Sequence, residues 1–164
     1  MRVQQYGLEA DLPTGWEARI YRRDRASAAR ARADAASEPP SAPILHAANF
    51  PLPEDRGDFG SGAVDRMRSP HVFFALVEYE PEAAGTPLFA ASGPPWPLDP
   101  GAFGPAQLQR YIPGQSGAQF FFSHEGRAFC LFAVLGNHVE RRRLVTRTLN
   151  PALERLRIGP RSER

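Results

Sequence analysis

Between Ala118 and Gly136 the chain runs through three consecutive phenylalanines, a polar break Ser123-His124-Glu125-Gly126, then Arg127 and an almost unbroken apolar stretch from Ala128 to Leu135. Aromatic and β-branched residues favour a pleated sheet, and a glycine-containing break between two runs of strand length marks a hairpin. A two-residue turn places Glu125 at positive φ, where Asn and Asp are preferred, so the expected turn is of type I with Gly126 as the left-handed bulge residue. That register sets Phe121 opposite Phe129 and Phe120 opposite Cys130. Side chains alternate across a strand, so Phe120 and Phe122 lie on one face and Phe121 on the other. Both faces carry apolar groups and both need cover, which puts the hairpin in the middle of a sheet rather than at its edge.

A chain of 164 residues is the length of about one domain and long enough to bury a substantial core. Its 17 Pro and 14 Gly imply long, shaped loops. All 20 basic residues are Arg, on a net charge of only +2, in a chain rich in Ala, Pro and Gly, a pattern of GC-rich codon usage rather than of a polyanion-binding surface. The single cysteine, Cys130, excludes an intrachain disulfide and a cysteine-built zinc site, and its apolar strand makes it a small buried hydrophobe. Met1 to Asp11 has no continuous apolar stretch and nothing resembles a membrane span, so the expected location is cytoplasmic.

Along the chain, Leu8 to Leu12 and Trp16 to Arg22 read as strands joined across Pro13-Thr14-Gly15. The Ala-, Arg- and Ser-rich stretch 24–43 has no large apolar residue to dock it and reads as a mobile insertion. Ile44 to Phe50 is a further strand, Ser61 caps a short helix through Arg68, and His71 to Glu80 is a strong strand beside the hairpin. From Ser92 to Gly117 the chain is proline-rich and irregular, a length that implies a functional surface or a cover for the sheet. His138 to Ile158 is the best helix: Leu144, Val145, Thr148, Leu149, Ala152, Leu153 and Leu156 share one stripe, with a kink expected near Asn150 because Pro151 lacks an amide hydrogen. The expectation is a single α+β domain over 1–159 and a frayed tail over 160–164. It has an antiparallel sheet of about six strands, a C-terminal helix on one face, and the short helix or long loop on the other.

Few motifs carry chemistry. Gly60-Ser61-Gly62 lacks the Lys and third glycine of nucleotide loops, and Arg56-Gly57-Asp58 is a tripeptide that arises readily by chance. The histidines His46, His71, His124 and His138 form no metal-binding pattern, and Glu78 and Glu80 read as the solvated end of a strand. No nucleophile, base and orienting group can be assembled, so neither catalysis nor a cofactor is expected. The last 27 residues hold eight Arg against three Glu, but these point in several directions around the helix, which disfavours nucleic acid.

The order of strand, proline-rich loop, apolar hairpin and terminal helix ending Leu153-Glu154-Arg155-Leu156-Arg157-Ile158 resembles the Mog/PsbP-like architecture. The opening Leu12-Pro13-Thr14-Gly15-Trp16 is similar to the start of such domains. The resemblance implies an antiparallel sheet flanked by helices and a role as a bacterial binding or assembly accessory. The expected function is therefore a non-enzymatic accessory domain that binds a partner protein through Pro51 to Gly60 and Ser92 to Gly117. Arg56, Asp58 and Gln115 are the candidate polar contacts and Trp96 the apolar anchor. The alternative is binding or turnover of a small ligand between the sheet and the 92–117 loop.

Overall fold

The structure, a computed structural model, describes residues 1–22 and 42–164. The expected insertion over 24–43 falls almost wholly outside the described residues. Two antiparallel sheets form the fold. β1 (Arg2–Gln5), β2 (Leu8–Asp11) and β8 (Leu156–Ile158) make a small one in the order β1-β2-β8. β3 (Glu17–Tyr21), β4 (Ile44–Ala48), β5 (Val72–Glu78), β6 (Ser116–His124) and β7 (Arg127–Leu135) make the larger in the order β3-β4-β5-β7-β6. The fold is of mixed α and β character, with eight strands in two sheets among the described residues where about six in one were expected.

Three strands of the larger sheet, β4, β5 and β7, are buried along their whole length. Their apolar residues follow one another without polar alternation because both faces of the sheet are covered. On the first face lie Phe74, Leu76, Phe129, Leu131 and Leu135, packed against Leu144, Val145, Leu149, Leu153 and Leu156 from the C-terminal segment, Leu8 and Ala10 from the small sheet, and Leu12 just after β2. On the second, Phe73, Ala75, Val77, Phe132 and Val134 meet Phe50, Leu52, Phe59, Ala63, Val64 and Met67 from the segment between β4 and β5.

The hairpin forms where the sequence places it, with two differences. Glu125 and Gly126 take φ values of 54° and 70°, a two-residue turn with positive φ at both positions, so Phe121 pairs with Cys130 and Phe122 with Phe129, one residue from the bulged register. The strand β6 is also an edge, with only β7 beside it. The proline-rich loop protects that edge: Ser92 bridges Ser123, and Gly104 and Gly117 exchange both backbone hydrogen bonds at 3.0 Å.

The C-terminal helical run comprises α1 (Arg141–Leu144), a π turn (Val145–Leu149) and α2 (Asn150–Leu153). Pro151 offers no hydrogen to the preceding turn and its ring crowds the carbonyl four residues back, and the chain answers with the wider π turn. Leu156–Ile158 leaves the helix and pairs with β2, ending the expected helix early. The expected short helix from Ser61 is a single 3-10 turn, Val64–Arg66, with no side-chain cap.

Glu78 is not a solvated strand end. It is fully buried and bound by Arg127, itself 2% exposed, through two parallel bonds: Nε to Oε1 at 3.0 Å and Nη2 to Oε2 at 2.7 Å. Arg127 also donates to the carbonyls of Tyr6, Gly7 and Gly159. Arg161 reaches the same carboxylate at 2.5 Å, and Arg164 O accepts from Tyr6 N, so the segment after Gly159 stays in contact with the domain. Replacing Arg127 with Leu leaves the buried carboxylate with one half-exposed partner. The expected result is a loss of about 3–5 kcal/mol in urea denaturation at neutral pH.

Candidate functional site

Among the described residues the second face of the larger sheet has no α-helix or strand over it, only short 3-10 turns. Two irregular segments cover it instead, one around 50–67 and one around 105–115, and they do not close completely. The gap is a cleft of about 340 Å³ with Phe132 and Val134 of β7 as its floor and Phe59, Val64 and Leu108 as apolar walls. Phe59 meets Phe132 edge to face, with ring centroids 5.9 Å apart.

Polar groups ring the apolar surface. Asp65 and Arg110 form an ion pair that joins the two covering segments; both side chains are largely exposed, at 38% and 71%. Asp65 also accepts from Gly62 N at 2.9 Å. Gln115, 4% exposed, donates from Nε2 to Val64 O at 2.8 Å, while its Oε1 is buried without a hydrogen-bond partner. The bond to Val64 O fixes which end of the amide is which, because exchanging the ends sets oxygen against oxygen.

The rim loop owes its shape to one histidine and one glycine. His46, on β4, is fully buried; its Nδ1 accepts from Arg56 Nε at 3.0 Å and its Nε2 donates to Asp58 O at 2.7 Å. This arrangement needs the neutral ring with hydrogen on Nε2. Burial foremost, and the Arg56 guanidinium second, push the imidazole down to about 3. Arg56 also donates to Pro53 O, and Tyr21 donates to Asp58 Oδ1 at 3.2 Å. At Gly60, φ is 89° and an added Cβ lies 2.3 Å from the Phe73 ring, so the loop reaches the sheet only because that side chain is missing.

Of the four residues singled out from the sequence, the structure gathers three on this face. Asp58 and Gln115 line the cleft, and Arg56 stands behind Asp58 through His46. Trp96 sits on the other face, half-buried and edge-on to Phe122 with centroids 6.1 Å apart. Sequence reasoning missed Asp65 and Arg110, which lie 45 residues apart and meet only through the fold. His138 makes a further polar contact, Nδ1 to Ser116 Oγ at 2.9 Å, but Ser116 is fully buried and lies outside the cleft. The Cys130 thiol is buried and pushed up to about 11 by desolvation, which keeps it protonated at neutral pH.

Among the described residues, no group of three His, Cys, Asp or Glu converges in the manner of metal ligands, and no helix is long and apolar enough to cross a membrane. The neutral His46 gives the rim a pH signature. The unfolded imidazole protonates near 6.5 and the folded one only near 3, so the unfolded state binds more protons between these values and stability falls as pH drops through that window. Between pH 6.5 and 5, before most carboxylates titrate, urea denaturation is expected to show a loss approaching about 1.4 kcal/mol per pH unit. His46→Gln, measured the same way, flattens that slope; an unchanged slope rules His46 out as its source. No family model, curated protein or solved structure matches this chain.

Proposed function

We propose that this chain is a non-enzymatic binding domain whose site is the cleft over Phe132 and Val134, and that its ligand is a small organic molecule with an apolar body. The observation that carries the reading is the cleft itself: half-buried apolar walls from Phe59, Val64 and Leu108 over the buried strand β7, with a few polar groups at its margin. Pockets of this size and lining are the usual form of small-molecule sites. The geometry favours the ligand alternative over a protein-docking rim because Trp96, the expected anchor, faces the other core.

One observation supports docking of a partner protein on the same rim: Tyr111, on the segment that carries Arg110, is 67% exposed. That reading predicts reduced partner recovery with Tyr111→Ala and Arg56→Ala, and unchanged recovery with Leu108→Trp.

The ligand reading is tested by a thermal-shift screen of small apolar fragments on the full chain and on Leu108→Trp, which fills the cleft from its loop side. Fragments that bind here raise the melting temperature of the unmodified protein and not of the variant. The cleft is not the site if the screen gives no hits, or if every hit shifts both proteins equally.

A further inference from the structure

The inference concerns the chemical class of the ligand and rests on the cleft being the binding site. Three features of the lining constrain that class. The first is shape and polarity: Phe59, Val64 and Leu108, half-buried above Phe132 and Val134, carry the apolar surface, and Phe59, edge-on to Phe132, offers a ring against which a further ring can pack.

The second is a missing donor. Gln115 is fixed in orientation because its Nε2 is bound to Val64 O, which leaves Oε1 as the group it still has to offer. A buried carbonyl oxygen without a partner is unfavourable, and a ligand N–H or O–H that reaches it recovers a hydrogen bond sheltered from water. A ligand without such a donor leaves the oxygen as it is.

The third is charge. Among the described residues of the lining, the guanidinium of Arg110 is already paired with Asp65. An anionic ligand has to draw Arg110 away from Asp65 and leave that carboxylate unpaired at the mouth. A neutral ligand leaves the ion pair across the mouth intact.

We infer that the cleft selects an uncharged aromatic or heteroaromatic molecule carrying one hydrogen-bond donor, of the indole or phenol type, with the donor directed at Gln115 Oε1. Such a ligand satisfies all three features at once, since its ring packs against the apolar walls, its donor completes Gln115, and its neutrality preserves Asp65–Arg110.

The experiment compares indole, 1-methylindole and indole-3-carboxylate by titration into isotopically labelled full-length protein, followed by NMR through the Gln115 side-chain amide and the Arg110 Nε signal. Indole is expected to bind and move the Gln115 signal. 1-Methylindole, which keeps the ring and loses the donor, is expected to bind roughly three- to tenfold more weakly. Indole-3-carboxylate is expected to be weaker still and to perturb Arg110.

Equal affinity for indole and 1-methylindole overturns the donor assignment, and carboxylate binding as tight as indole overturns the neutral class. In both cases the cleft stands as the site. If none of the three binds while other fragments from the screen do, the aromatic-donor class is wrong and the cleft again stands. If Leu108→Trp binds indole as the unmodified chain does, the cleft reading itself fails. The ligand comparison is made on unaltered protein, so no folding defect can imitate its result.

Discussion

Arg127 carries five N–H donors, and each of them is used inside the fold: two on Glu78, one on Tyr6 O, and two on Gly7 O and Gly159 O. A guanidinium and a carboxylate taken out of water together are tolerated only where geometry satisfies both, and here it does so across three separate parts of the chain. Glu78 ends β5, Arg127 begins β7, and the three carbonyls belong to the turn of the β1–β2 hairpin and the exit of β8. One planar group thus sets where the small sheet stands relative to the large one. Gly7 shows how closely the parts meet, since an added Cβ there lies 2.1 Å from Pro160 O at a φ of 77°. The Arg127 contact also fixes the start of β7, and β7 is the floor of the cleft.

The two faces of the larger sheet are closed by different physics. On the first, a helix and a three-stranded sheet satisfy their own backbone groups and bring whole apolar stripes to the interface. On the second, irregular segments have backbone groups that regular structure does not pair, so side chains hold them: Asn49 accepts from Val72 N and donates to Pro70 O, Glu17 accepts from Leu52 N, and His46 ties Arg56 to Asp58. Cover built this way follows hydrogen-bond geometry before it follows the shape of the sheet. The cleft over Phe132 and Val134 is the space that remains.

This contrast also explains what the sequence discloses. The central strands and the helical stripe are legible because apolar spacing reports burial directly: Phe129, Leu131 and Leu149 are all in the core. The hairpin register is not, because it depends on whether Glu125 accepts positive φ, a local choice on which an edge strand imposes little tertiary constraint. The strand β1 is hidden by Arg2, Gln4 and Gln5, polar and exposed on the outer edge of the small sheet. Leu156 keeps helical spacing with Leu149 and Leu153 yet lies in a strand, since a core position is the same from either element. The candidate site was half legible. Asp58 and Gln115 stand on segments whose length and composition mark them out, whereas Arg110 and Asp65 are ordinary surface charges until the fold joins them. Glu78 and Arg127 were the hardest to see, because a charged residue at a strand end is solvated far more often than buried.

The pairing of β2 with β8 joins Leu8 to Ile158, nearly the full length of the sequence apart. During synthesis the β1–β2 hairpin leaves the ribosome with its partner strand still untranslated, and the carbonyls of Tyr6 and Gly7 wait for an arginine more than a hundred residues downstream. The larger sheet has the same dependence, since β4 and β5 are made long before β7. The small sheet therefore gains its third strand only when the end of the domain has been made. Nascent chains ending before β8 keep Leu8 and Ala10 without their neighbouring strand, the state in which such a chain most needs shelter from aggregation.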